Sequence, residues 1–239
     1  MLPTLRVPLL LGVLAALWLT FGAALAADET GDFVTLSPPV PTASGDPVEV
    51  VDVFLYSCPH CWHLEPLMNT WAGTQPAGVV FRRMPASRSE SHVRAFYAAE
   101  ALGQLDSYHL ALFKAWHVER KPILTENDLV RLAGANGIDE KAFREAYHSF
   151  AVETKVRKAA DLTRRYGIDG VPAVIVNGKF RTSPSQTGGD KDRFIAVLNT
   201  LVGQELAAKG AGASAAPAPV ASPVLGATPA PAAAPAGGY

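Results

Sequence analysis

Apolar residues change their spacing several times along this chain, and each change marks an element. Residues 48–56 are dense in β-branched and aromatic side chains, which predicts a strand, and residues 78–84 read the same way. Between them, from Cys58 or Pro59 to about Trp71, the spacing becomes helical. Upstream, Phe33-Val34-Thr35-Leu36 is a short extended stretch in Pro-, Ser- and Thr-rich surroundings and suits an edge strand. Residues 89–166 then read as successive amphipathic helices. Val93, Phe96 and Tyr97 form one stripe, ended by Gly103, and Leu105, His109, Leu112 and Trp116 form a second. Thr125 with Asp128 is a capping box that opens a third helix, closed by Gly134 and Gly137. Phe143, Tyr147 and Phe150 mark a fourth helix, and a last one runs to Tyr166 with Gly167 as its stop. Strand character returns at 172–176, Asn177-Gly178 is a hairpin signal, and 179–182 is the returning strand. A final helix is predicted from Asp190 to about Gln204, with Phe194, Val197, Leu198 and Leu201 on one side. The order is that of an α/β core interrupted by an all-helical block.

The two ends stand apart from this pattern. Met1 to Ala26 carries Arg6, an apolar run and Ala24-Leu25-Ala26, the layout of a secretory signal peptide cleaved after Ala26. An uncleaved membrane anchor is the alternative, since the apolar stretch approaches the ~20 residues needed to span a bilayer. From about Ala207 to Tyr239 the chain is almost all Ala, Pro and Gly, and reads as a disordered or polyproline-like tail. Of the 21 Lys and Arg, Arg6 and Lys209 lie in these ends, leaving 19 against 22 Asp and Glu, a net charge of −3. That balance supports neither nucleic-acid nor membrane-surface binding. At 239 residues and 49% hydrophobic composition, the chain can bury a substantial core.

The only two cysteines, Cys58 and Cys61, are two residues apart. A disulfide across so short a ring restricts the unfolded chain little, so reactivity explains the pair better than stability. Cys58 sits where a strand passes into a helix, with Pro59 at the first helical position, where its missing N–H costs nothing. Unpaired backbone N–H groups and the positive end of the helix dipole then point at the Cys58 sulfur and favour its thiolate. His60, in the same turn, can add positive charge or a hydrogen bond. A stabilised thiolate makes the disulfide form easier to reduce, so the chain is expected to oxidise other thiols. Cys61, one turn on, is expected to be more buried and to act as the resolving thiol.

The rival readings of the pair are structural or metal-binding. Haem attachment needs His directly after the second cysteine, and position 62 is Trp. His60 and His63 cannot complete a tetrahedral metal site within one helix start, so no metal and no cofactor are expected. Asp52 falls on one face of its strand with Val50 and Phe54, six residues before Cys58. Burial there would raise its pKa and let it exchange protons with Cys61; an exposed strand position at a sheet edge is the alternative. Val171-Pro172 precedes a strand, and only about 5–6% of X-Pro bonds in folded proteins are cis. Sequence leaves that geometry open. His92, His109, His117 and His148 fall on helical stripes or helix ends and read as structural or surface residues.

Phe54-Leu55-Tyr56-Ser57-Cys58-Pro59-His60-Cys61, together with Gly170-Val171-Pro172-Ala173 and Val176-Asn177-Gly178-Lys179, resembles the DsbA family of periplasmic disulfide-forming proteins, over residues 33–204. The resemblance implies a thioredoxin-like fold with an inserted all-helical domain. Together with the composition of the two ends, it divides the chain into a signal peptide (1–26), an N-terminal extended segment with an edge strand (27–47), a thioredoxin-like domain in two parts (48–87 and 167–206), the helical insertion (88–166) and a tail (207–239) that lies outside the family pattern. It also implies that Pro172 is cis and packs beside Cys58, and that the Val171 backbone pairs with an extended substrate. Asp52 matches the family's buried acid, and Pro66 is similar to the helix-kinking proline of thioredoxins. The expected activity is that of a periplasmic thiol:disulfide oxidoreductase, which donates the Cys58-Cys61 disulfide to exported client proteins through a Cys58 mixed disulfide and is reoxidised by a DsbB-type membrane oxidase. It is expected to work as a monomer. The alternatives are a periplasmic reductase or isomerase on the same fold, or a secreted metal carrier or peptide-binding module.

Overall fold

The structure, a computed structural model, describes residues 31–214. The expected signal segment and the tail beyond Ser214 lie outside them. Five strands form one sheet in the order β1-β5-β4-β2-β3, with β1 at Phe33–Thr35, β2 at Val48–Phe54, β3 at Val79–Pro85, β4 at Ala173–Val176 and β5 at Phe180–Thr182. β2 pairs in parallel with β3 and antiparallel with β4, and β5 is antiparallel to both β4 and β1. A parallel neighbour requires a crossover, and helix α1 at Pro59–Gly73 supplies it.

All seven residues of β2 are buried, because both of its faces are covered. Val48 and Val50 meet Leu64, Met68 and Trp71 of α1 and Phe194, Leu198 and Leu201 of α7 (Lys191–Ser214). Val51 and Val53 face the opposite layer with Val93, Val152 and Val156. The two central helices of that layer are α2 (Glu90–Ala101) and α6 (Phe150–Arg165). Between them α3 (Leu105–His117), α4 (Glu126–Ala135) and α5 (Glu140–Tyr147) complete a helical block. Its aromatic core of Phe96, Tyr108, Phe113 and Phe143 continues into Phe54, Tyr56 and Cys61. Each such fully buried side chain contributes about 1.5–3 kcal/mol.

Local signals account for most element ends. Thr125 and Asp128 cap α4 reciprocally, as the sequence predicts. Asn177 and Gly178 both have positive φ, +51° and +65°, which the tight β4–β5 hairpin needs. A side chain at Gly178 would also put its Cβ 1.8 Å from the Val40 carbonyl oxygen. Gly178→Ala is therefore expected to lower unfolding free energy by about 2 kcal/mol or more in urea denaturation; an unchanged midpoint would contradict this packing.

Three expectations need correction. Gly134 does not stop α4, which runs through it to Ala135, and the chain turns at Gly137 (φ +80°) instead. Phe143 and Tyr147 are buried on α5, but Phe150 belongs to the start of α6 and is 84% exposed. Periodicity could not see the break, because Ser149 caps a new helix there by accepting the Val152 N–H. Finally, α7 continues past Ala207, where the tail was expected to start, to Ser214. An alanine-rich stretch lacks an apolar stripe yet has the highest helix propensity. Lys209 also ties this helix to the carbonyls of Gly45, Asp46 and Pro47.

Candidate active site

Strand β2 ends at Phe54, and the chain turns through residues 55–57 into α1, closed by a Cys58 N–H to Leu55 carbonyl bond of 3.1 Å. Cys58 is the N-cap of α1, in extended conformation, with Pro59 at the first helical position. Its sulfur accepts the Cys61 backbone N–H at 3.4 Å. Cys58 is half-buried, Cys61 is buried, and both are free thiols, so this is the dithiol form. The apolar side of α1, through Cys61, Leu64, Met68 and Trp71, seats the helix on the sheet. Pro66 lies inside α1, where it removes one helical N–H.

The two thiols are strongly unlike. The Cys58 pKa is lowered to about 5, first by the hydrogen bond from the Cys61 thiol. Partial burial opposes this, and the backbone N–H groups of Cys61 and His60 and then the His60 charge add to it. Cys61 is pushed up, by its bond to Cys58, by burial, and by the charges of Cys58 and Asp52. The helix start therefore does act on Cys58, but the partner thiol outweighs it. The charge of the His60 side chain has the smallest part, which fits its exposed position.

Asp52 is 3% exposed, on the α1 side of β2, with one carboxyl oxygen lacking a hydrogen-bond partner. Burial, and next the charge of Glu65, raise its pKa to about 7, against the pull of Arg83. The edge-strand alternative fails, since β2 is flanked by β3 and β4. Val171-Pro172 is cis. It delivers the Val171 carbonyl to 3.6 Å from the Cys58 sulfur, across 113 residues of sequence.

Sequence reasoning missed Glu65, which is 5% exposed, one turn beyond Cys61. It pairs with Arg83 at 2.7 Å and lies 3.4 Å from His109, while Asn69 donates to it. Burial works to raise Glu65, and His109 and Arg83 outweigh it and hold the carboxyl below its usual value. An acid within the apolar stripe Cys61, Leu64, Met68 was the available signal. His109 is held down mainly by burial. His92 is buried against the Ile123 carbonyl, and His148 pairs with Glu126 at the surface.

A cleft of about 660 Å³ opens beside the cis bond, lined by His60 and His63 of α1, Val171, Pro172, and Ser183 and Lys191 beyond β5. Among the described residues, no three His, Cys, Asp or Glu side chains converge in a way that could hold a metal ion.

Residues 68–195 match the family described as the DSBA-like thioredoxin domain. The chain is 38% identical over 180 residues to the thiol:disulfide interchange protein DsbA of Azotobacter vinelandii, covering 74% of this chain and 84% of that protein. It is 34% identical over 206 residues to DsbA of Pseudomonas aeruginosa, covering 84% and 97%. The crystal structure of Pseudomonas aeruginosa DsbA superposes with a TM-score of 0.71 at 34% identity, over 75% of this chain and 94% of that one. DsbA from Xylella fastidiosa gives 0.68 at 26% identity, over 74% and 96%. With its strand-to-helix dithiol, its helical block and these relatives, the chain belongs to the DsbA family and is a thiol:disulfide oxidoreductase.

Proposed function

We propose that the chain works in the periplasm, after removal of residues 1–26, as a donor of the Cys58-Cys61 disulfide to newly exported proteins. The observation that carries this is the asymmetry of the two thiols, one half-exposed with its pKa near 5 and one buried with its pKa raised.

Starting from the oxidised form, a client thiolate attacks the Cys58 sulfur. A client–Cys58 bond forms, the Cys58-Cys61 bond breaks, and Cys61 leaves as a thiolate. Its high proton affinity needs a proton at once, and the neutral Asp52 carboxyl is the buried group placed to supply it. The client's second thiolate then attacks its own bridged sulfur and expels Cys58 as a stable thiolate. The client loses two electrons and two protons, and the dithiol seen here is the reduced product. During the mixed-disulfide stage, the Val171 backbone and Pro172 hold the client as an extended strand, and the cleft takes the flanking residues. A DsbB-type membrane oxidase accepts the two electrons and restores the disulfide.

Lowering a thiol from its ordinary ~8.5 to about 5 favours the reduced state by about 2.7 kcal/mol at pH 7. Discounted by half for solvent at the half-exposed sulfur, that is about 1.4 kcal/mol, or about 30 mV in the oxidising direction. The raised pKa of Cys61 changes this little, since an ordinary thiol is already protonated at pH 7. Equilibration with reduced and oxidised glutathione is expected to give a potential more positive than that of thioredoxin by about 30 mV or more. A value near the ~−270 mV of thioredoxin would overturn the donor role.

A further inference from the structure

The helical block touches the redox turn in a way that the exchange chemistry does not use. Tyr56, two residues before Cys58, is 1% exposed and is held at both ends from helix α3. Its hydroxyl meets His109 Nδ1 at 2.9 Å, and its backbone carbonyl accepts from His117 Nε2 at 2.7 Å. The His117 ring also stacks on Trp62, the residue after Cys61, with 6.0 Å between centroids and 10° between planes. The two histidines are a little over two turns apart on α3. His117 thus contacts the chain on both sides of the Cys58-Pro59-His60-Cys61 segment.

We infer that His117 is a positioning residue for Cys58, fixing the redox turn by its bond to the Tyr56 carbonyl and its stack on Trp62. The carbonyl lies in the turn whose N–H groups and helix start must point at the Cys58 sulfur. An unpaired carbonyl there either turns its negative end towards the thiolate or rotates to find water, and either movement misaligns those donors. The half-buried imidazole satisfies it from a neighbouring element. Because the donor comes from α3, the seating of the helical block on the thioredoxin-like core sets the reactivity of a thiol that belongs to the core. His109 reinforces the grip through the tyrosine hydroxyl, and Cys58 and Trp62 both pack against the helical core.

This inference rests on Cys58 as the low-pKa thiol of the proposed function. The test compares the unaltered chain with His117→Leu, which keeps the bulk and loses the donor, and His117→Gln, whose amide nitrogen reaches where Nε2 does. Thiolate absorbance is followed from pH 3 to 9, and the glutathione equilibrium and thermal midpoint are measured for each protein. His117→Leu is expected to raise the Cys58 pKa by about half to one unit. Its glutathione equilibrium is expected to shift about three- to tenfold away from the dithiol. His117→Gln is expected to return both most of the way, even if its thermal midpoint stays low. A His117→Leu protein that titrates and equilibrates like the unaltered chain overturns the positioning role, whatever its stability. So does a His117→Gln protein as shifted as His117→Leu. If the unaltered chain shows no thiolate titrating below pH 7, the assignment of Cys58 fails first and takes this inference with it.

Discussion

Cys61→Ser is expected to convert the chain into a trap that holds its protein partners covalently. The Cys58 thiolate can still attack a partner's disulfide, forming a bond to one sulfur and releasing the other as a thiolate. What is lost is the return attack on the Cys58 sulfur, since a serine hydroxyl is not a nucleophile at neutral pH. Mixed disulfides should therefore accumulate, visible as reducible high-mass bands after acid quenching, while turnover of a reduced client falls on the order of 10³-fold or more. Cys58→Ser should lose turnover equally and trap nothing. The choice of serine matters, because the largest influence lowering the Cys58 pKa is the hydrogen bond from Cys61. Serine keeps a donor at that place and alanine does not, so Cys61→Ala should show a higher Cys58 pKa than Cys61→Ser. Bands that depend on Cys61 rather than Cys58 would reverse the assignment of the two roles. A metal carrier would lose metal in either variant and form no covalent adduct.

Asp52→Asn should make the dithiol form more stable at pH 8 and leave it nearly unchanged at pH 4. In the folded chain the carboxyl titrates near 7, raised by burial and by Glu65, whereas an unfolded aspartate titrates near ~3.9. Between those values the unfolded chain gives up its proton first, so stability falls as pH rises through this window. Below about pH 4 both states are protonated and the penalty vanishes; above about pH 7 it is complete. About three units at 1.36 kcal/mol each sets a ceiling near ~4 kcal/mol, and a gain of about 2–4 kcal/mol is expected for asparagine at pH 8. Guanidinium denaturation at the two pH values measures it. Destabilisation at pH 8, or one difference at both pH values, would show that Asp52 is not a strained buried acid. A stability penalty of this size, retained beside Cys61, fits the proton-transfer role, and the same variant should slow release of Cys61 at neutral pH.

The extent to which sequence anticipated this molecule follows from how far each signal has to reach. Cys58 at a helix N-cap with Pro59 behind it, the Thr125–Asp128 capping box and the Asn177-Gly178 turn all rest on interactions within four residues. Such bonds form wherever the chain visits the conformation, so residue type and spacing suffice to locate them. The same locality allowed the Cys58-Cys61 pair to be recognised as redox chemistry, and the order of elements to be read as a sheet with a helical block inserted after its third strand.

Longer reach defeated the reading. Asp52, on an apolar strand face six residues before Cys58, was legible as a buried acid with a raised pKa, but Glu65 is an ordinary acid until α1 lies on β2 and brings it against Arg83 and His109. Only burial and the nearby Arg83 and His109 make one of them hold its proton near neutrality and the other stay charged. Phe150 and the end of α7 escaped because a serine cap and a lysine tether from α7 to the loop before β2 decided them, not an apolar period. The cis bond at Pro172 came from family resemblance, since base rates favour trans, and its approach to Cys58 requires the sheet to bring the two loops together. By itself, then, the sequence determined which sulfur begins the helix and which follows it. The tertiary structure decided how far the two diverge. Cys58 is lowered chiefly by groups within three residues, the Cys61 thiol and the N–H groups of Cys61 and His60. The burial that opposes this, and that after the bond to Cys58 raises Cys61 together with the charge of Asp52 on β2, exists only once packing has removed solvent from around the sulfurs.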